Sequence, residues 1–527
     1  MLKISRQMLK ASRQMLKASR QNGDMIPSSD VNANSSSNKT QADQVVPVRF
    51  FDYHPLIRSL IVHTMLVFDD VLDPHKLHDG LRAVVERDDG WRRLGARLGR
   101  NKDNGRVEFR IPASFNAHRP AFKFSHVDHG TTKMAEHPTA ARLPKPSSRV
   151  AVLAKSNEFE DLARGPNTPR TLQDYIDSQE PMLGLHVVSF SDATLVSLHW
   201  PHMFMDGMAG GDVLRAVSLA LQGRHEEIPK TYAVDVDPLA ELGRHPTERH
   251  KLWRQKLSFF GFVCLGLRNL CSIFLSSLER RVICIPAAFV ASLRRDALAE
   301  LEADKPATKN LFLTEGDVLS AWWTRLCLST QAARNPGRTV VLRNAISLRT
   351  ILSGKLLQRD RPYLGNAFQF IDVLIRADDM PKRPLTYLAY QIRRRIEEQG
   401  SRGQVEAFAA LWRASLFGLK PVFGNSGMLT IVCSNWTKIG FFYVDFSAAI
   451  PTSEHHHHHH HRLHPRPPSR LGKPSFVYHN RLNMEALVGP NTLIIMGKDG
   501  DGNYWLDASA RRKYWGRIEE ELAKATI

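Results

Sequence analysis

Residues 185–222 constrain the fold more than any other stretch. LHVVSF and TLVSLHW are two largely apolar runs separated only by SDA, a pattern that specifies two antiparallel strands joined by a tight turn. PHMFMDGMAGG follows at once, and GDVLRAVSLALQG then predicts a helix that Gly223 ends. A strand that passes through a small-residue loop into a helix gives the side chain at the strand end a rigid mount. That side chain is His202.

The rest of the ordered chain is expected to begin near Val46. HTMLVFDDVLD predicts a strand, after which Asp73-Pro74 caps a helix running to about Glu86 with Leu77, Leu81 and Val84 on one face. Val107 to Ile111 alternates as a short strand, and Thr314 with Asp317 outlines a capping box at the head of LTEGDVLSAWWTRL. TVVLRNAISLR, AFQFIDVLI, SGMLTIVCSNW and TLIIMGKDG with DGNYWLDAS supply further strands. Strands and helices mix without a strict βαβ repeat, so the expected class is α+β, with mixed sheets and packed helices.

At 527 residues the chain is long enough for two domains with separate cores. Its 43% apolar and 24% charged content excludes a disordered or collagen-like polymer. Five cysteines, an odd number without a C-x-x-C pair, argue against a disulfide framework or a structural zinc site. They fit a reducing compartment, and the expected location is cytoplasmic, with no metal ligand set. A net charge of +19 points to an anionic partner: nucleic acid, a membrane surface or a phosphorylated small molecule. With no zinc finger, RNP-type motif or long basic helix, no nucleic-acid partner is expected.

Three segments stand apart. Residues 1–21 are three basic heptads, MLKISRQ and MLKASRQ twice, without an acidic residue before Asp24. They read either as an organelle-targeting or membrane-surface helix, or as a slipped genomic repeat before the true start. Residues 22–44 read as a disordered linker, so 1–45 form a leader to the fold. His455 to His461 with RLHPRPPSR is a polyhistidine and proline insertion in an exposed loop, near 455–470. The run at 257–278, LSFFGFVCLGLRNLCSIFLSSL, is the most apolar in the chain. Arg268 and Asn269 in its middle disfavour a membrane span, leaving a buried helix or one in peripheral contact with a membrane.

H-x-x-x-D-G occurs twice. His75 to Asp79 falls inside the helix that begins at Asp73-Pro74, so it is expected on solvated surface. His202 to Asp206 sits at a strand end and is followed by Gly207, Met208, Ala209, Gly210 and Gly211, small residues that let backbone or ligand approach closely. An imidazole with a pKa near ~6.5 accepts a proton at neutral pH. From the local motif alone, a general base and a histidine merely satisfied in a strand-to-helix loop are equally consistent.

HWPHMFMDG resembles the H-x-x-x-D-G signature of BAHD acyltransferases, nearest to the fungal members that acetylate secondary metabolites. GWRRLGARL resembles the early family segment ending in G-R-L, and TEGDVLSAWW the helix that opens the second half. ISLRT with PYLGNA resembles the arginine-bearing strand and Y-F-G-N loop; CSNW with YVDF resembles the S-W strand and the start of D-F-G-W-G. The resemblance spans roughly 46–520. It implies an N-terminal acyltransferase domain at 46–240, a crossover at 241–305 and a C-terminal domain at 306–527. It further implies acyl-CoA as co-substrate with no bound cofactor, a small, apolar acceptor bearing a hydroxyl or amine, and a monomer.

By the same resemblance His202 is the base and Asp206 is structural, paired with an arginine for which Arg349 is the candidate. Gly207 lies beside the site, Ser434 and Trp436 are oxyanion donors, and Gly365 and Asn366 form a loop. Asp445 and Phe446 keep the start of D-F-G-W-G, but Ser447, Ala448 and Ala449 depart from it. Two alternatives keep the fold: a diverged homologue that binds ligand without turnover, and a condensation-type transferase using a carrier-bound donor. The latter family reads H-H-x-x-x-D-G, whereas Pro201 precedes His202 here.

Overall fold

The computed structural model describes residues 42–55, 57–275, 277–304, 312–331, 337–451, 470–482 and 491–524. The basic heptads and the tract from His455 to Ser469 lie outside the described residues. In chain order the strands are β1 (Gln44–Pro47), β2 (Ile61–Phe68), β3 (Arg97–Arg100), β4 (Val107–Ile111), β5 (Lys123–Asp128), β6 (Ala151–Lys155), β7 (Gly184–Ser189) and β8 (Thr194–Pro201). They continue as β9 (Leu278–Ile285), β10 (Thr339–Ser347), β11 (Phe368–Arg376), β12 (Leu429–Asn435), β13 (Phe476–Leu482), β14 (Asn491–Lys498) and β15 (Tyr504–Arg511). The longer helices are α1 (Pro74–Val85), α2 (Gly207–Leu221), α3 (Phe259–Leu275), α4 (Ala287–Asp304), α5 (Glu315–Gln331), α6 (Leu385–Gln399), α7 (Arg402–Arg413) and α8 (Arg512–Ala523).

Two large sheets carry the fold, one ordered β13-β2-β8-β7-β5 and the other β11-β10-β12-β14-β15-β9-β6. Parallel pairs (β5 with β7, β10 with β12, β12 with β14) stand beside antiparallel ones, which makes both sheets mixed and the class α+β. Each sheet has its own apolar core, the first around Leu66, Trp91, Leu198 and Phe204, the second around Trp323, Ile431, Leu506 and Trp515. The halves exchange strands. β13, late in the chain, pairs with β2, and β6, early in the chain, pairs with β9.

Local chemistry sets the element ends. Asp73 caps α1 by accepting from the amides of His75 (2.8 Å) and Lys76 (3.3 Å), with Pro74 in the first turn. Leu77, Leu81 and Val84 are buried, while His75 and Asp79 of the second H-x-x-x-D-G copy are exposed on that helix. Thr314 and Asp317 form a reciprocal cap at the head of α5, Thr314 N donating to Asp317 at 2.7 Å and Asp317 N to Thr314 Oγ1 at 3.2 Å.

β2 and β8 are buried along their whole length. That burial encloses histidines the sequence pattern does not explain. His63 and His199 face each other across the two strands with rings 5.4 Å apart, and His186 stands on neighbouring β7. Burial pushes the pKa of His63 down to about 3 and that of His186 to about 4, and holds His199 well below its usual range. All three are therefore neutral in the native state, whereas the unfolded chain takes up protons below about 6.5. Stability is complete above that value and falls as the pH drops from about 6.5 towards 4, by about 1.4 kcal/mol per histidine per pH unit. The urea midpoint is expected to fall steeply between about pH 6.5 and 5, above the range in which carboxylates protonate. A His63→Phe variant with the same slope in that window would show that the cluster is not responsible.

Candidate active site

His202 stands one residue beyond β8, with its main chain held from both sides. Its amide donates to the carbonyl of Leu60 (2.8 Å), and its carbonyl accepts from Asn366 Nδ2 (3.0 Å). The imidazole lies 5.8 Å from the ring of Phe368, and its buried Nδ1 has no hydrogen-bond partner. Burial lowers the pKa of the ring below its usual value; its own backbone, Asp206 and Asn366 oppose that shift, and the ammonium of Lys420 adds to it. The net effect is a free base at neutral pH.

Asp206 is turned to other work. Its carboxylate is bidentate with Arg349, at 2.8 and 2.9 Å, and also accepts the amides of Ala367 (2.9 Å) and Ala209 (3.0 Å). Arg349 in turn donates to the carbonyls of Tyr363 (2.7 Å) and Gly365 (3.1 Å). Burial pushes the Asp206 carboxyl up, but Arg349 and the two amides outweigh it, and the pKa lies below the usual carboxylate value. Asp206 thus caps α2 and ties it to the 363–367 segment. The helix therefore starts at Gly207, inside the small-residue loop rather than after it. The small residues there admit backbone: a Cβ on Gly211 would lie 2.7 Å from Ile439 Cγ2 and 2.8 Å from its carbonyl oxygen. Gly207 meets side chains instead: a Cβ there would lie 2.9 Å from Ile439 Cδ1 and 3.9 Å from the Trp436 ring.

Asn366 does more than shape a loop. It is buried, and its backbone amide and Nδ2 both donate to Asp52 Oδ1, at 2.8 and 2.9 Å. Asp52 accepts from Arg93 at 3.4 Å, and Arg93 also reaches the carbonyl of Leu364. A chain of side chains from Arg93 through Asp52 and Asn366 thus ends on the main chain of His202. Asp52 carries no motif signal; Arg93 lies in GWRRLGARL, but nothing in that segment tells what it touches.

Trp436 Nε1 donates to Ser434 Oγ (2.8 Å), so the indole N–H is already engaged and the serine hydroxyl keeps its own proton to donate. The Trp436 ring packs 4.3 Å from that of His479 on β13. Asp445 is held on α2 through its carbonyl, which accepts from Ser218 Oγ (2.5 Å), and Phe446 stacks on Phe68 at 5.5 Å. A further group, absent from the motif reading, borders the histidine. Lys420 is buried with its Nζ 3.6 Å from the centroid of Phe368 and 4.6 Å from that of Trp412. Burial and the nearby Arg343 push its pKa down to about 7.

Comparison with known proteins gives the same family as the motifs. Acetyltransferase adrJ of Penicillium roqueforti is 34% identical over 490 residues, covering 92% of this chain and 96% of the relative. Acetyltransferase sphE of Aspergillus fumigatus is 33% identical over 516 residues, with 92% and 96% covered. The chain belongs to the BAHD-like acyltransferases. Another relative of this acyltransferase, calD of Penicillium decumbens, is 37% identical over 501 residues, with 93% of this chain and 97% of the relative covered; it is named a transcriptional regulator. The fold matches TRI101 of F. sporotrichioides, solved with coenzyme A and T-2, at a TM-score of 0.65 and 15% identity, covering 91% of this chain and 98% of that one. Vinorine synthase matches at a TM-score of 0.53 and 11% identity over 94% and 95%. No family model matches the chain.

Proposed function

We propose that this acyltransferase moves an acetyl group from acetyl-CoA to a hydroxyl or amine of a small, apolar secondary metabolite, with His202 as general base. The observation that carries this reading is the separation of His202 from Asp206. The motif carboxylate is bound to Arg349 and to two amides, so the buried imidazole stands as a neutral base rather than as one member of a charged pair. Its nitrogen takes the acceptor's proton as the acceptor oxygen or nitrogen attacks the thioester carbonyl. The tetrahedral intermediate then expels the CoA thiolate, which receives that proton from the imidazolium. CoA is a co-substrate in this scheme, not a resident cofactor, and one copy of the chain supplies every residue used.

Ser434 is proposed as the oxyanion donor, since the Trp436 N–H is engaged with it. Ser434→Ala is expected to lower kcat by about 10²-fold with little change in KM. Trp436→Phe is expected to cost much less. Equal losses in the two variants would assign the donor to another group.

Thiol release from a panel of acyl-CoAs with pooled alcohol and amine acceptors tests the whole reading. Turnover greatest with acetyl-CoA, and lost in His202→Ala, supports it. The first alternative is a ligand-binding homologue without turnover. Folded protein that releases no thiol from any donor would favour that alternative, and activity only with carrier-bound acyl groups would favour condensation-type chemistry.

A further inference from the structure

The most apolar helix of the chain lies on the outside of the molecule. Among the described side chains of α3 only Leu265 is buried, against Val341 and Met428, and Arg268 fastens the helix to the body by donating to the carbonyl of Gly427 (2.6 Å). Phe260, Val263 and Leu267 recur at helical spacing on the opposite face, with Phe260 77% exposed. The loop after α7 extends this surface: Leu416 and Phe417 are exposed, and the Phe417 ring meets that of Phe259 at 5.7 Å. A contiguous apolar surface of this kind marks a contact with another phase or partner.

Its rim says which. Trp253, itself exposed, is flanked by the guanidiniums of Arg249 and Arg254 at 5.0 and 5.6 Å from its ring. Lys251 and Lys256 are exposed in the same segment, where Glu248 is the one acidic residue between 248 and 256. An exposed apolar helix entered through an exposed tryptophan among basic side chains is the pattern of a helix that lies in a membrane interface. A second copy fits less well, since an isologous contact would bring one cationic rim against another. Spanning is not the arrangement either, because no helix among the described residues is long and apolar enough to cross a membrane.

We propose that α3, the 416–417 tip and Trp253 form a docking face for a bilayer surface carrying anionic headgroups, with the helix in the plane of the membrane. The face is stitched to the wall of the site. Leu257 N donates to the carbonyl of Val422 (2.8 Å) and Gly424 N to that of Gln255 (2.9 Å), on the segment that carries Lys420. The inference stands independently of the acyl-transfer reading, and its test needs no turnover.

Flotation of the full chain with phosphatidylcholine vesicles, with and without phosphatidylserine, reads the interaction directly. Binding is expected on the serine-containing vesicles, weaker with phosphatidylcholine alone, and reduced by salt. Phe260→Ser with Leu267→Ser is expected to lower the bound fraction about tenfold at an unchanged melting temperature, because both side chains are exposed. Residues 1–21 are present in both chains, so binding that survives the double substitution belongs elsewhere and overturns the inference. A wild-type chain that ignores vesicles, including one that forms a dimer the double variant loses, overturns it too.

Discussion

His202→Ala is expected to lower kcat/KM by about 10²- to 10⁴-fold, the range a positioned general base contributes. The loss should fall on chemistry and not on folding. What His202 gives the structure is mainly backbone: its amide on Leu60 and its carbonyl under Asn366, both of which alanine retains. The ring touches Phe368 and leaves Nδ1 without a partner, so the melting temperature should move little. The pH profile supplies a second signature. A base works only when unprotonated, so kcat/KM should be flat at neutral pH and fall tenfold per pH unit below the pKa of the buried ring. Burial and Lys420 place that limb below the ordinary histidine value. Lys420→Met removes a positive neighbour and should move the limb to higher pH, while the residual activity of His202→Ala should show no such limb. A His202→Ala enzyme with near wild-type turnover would remove the base from the mechanism.

The parts of this site that were legible in the sequence are those whose partners lie close in the chain or carry a strong residue preference. Asp73 and Thr314 as caps, the β7–β8 hairpin, and His202 at the end of β8 all follow from patterns of a dozen residues or fewer. Arg349 follows as a partner of Asp206 only from the family resemblance, because a separation of 143 residues leaves no local trace. The clasp from Asp52 to Asn366 spans 314 residues and leaves no mark in the sequence; PYLGNA reads as a turn, and nothing in it tells that the amide side chain is buried. The exchange of β6 and β13 between sheets was equally silent, since the alternation that marks a strand does not say which sheet receives it. Lys420 was hidden for the opposite reason. A lone lysine before Pro421 reads as surface, and only the rings of Phe368 and Trp412 around its ammonium show that it is interior.

Arg349→Met is expected to destabilise the protein by about 3–5 kcal/mol, the cost of leaving a buried carboxylate without its partner. Four acceptors lose a donor at once: both oxygens of Asp206 and the carbonyls of Tyr363 and Gly365. Asp206→Asn is expected to cost less, because its amide oxygen can still cap α2 at Ala209 while Arg349 keeps the two carbonyls. Arg349→Lys should fall between them, since a single ammonium cannot bridge two carboxylate oxygens and two carbonyls in one plane. The pair does not confuse the acid titration of the buried histidines. The folded pKa of Asp206 is depressed, so its contribution is present above the ordinary carboxylate value and is lost only as the pH falls below it. The decisive comparison is between stability and catalysis. If Asp206 only holds the loop, Asp206→Asn assayed well below its melting temperature should lose rate only modestly, with the acid limb of kcat/KM moved to lower pH because a negative neighbour of the imidazole is gone. A loss near 10⁴-fold would make Asp206 a direct partner of the imidazole, and the separation of the two would no longer describe the working enzyme.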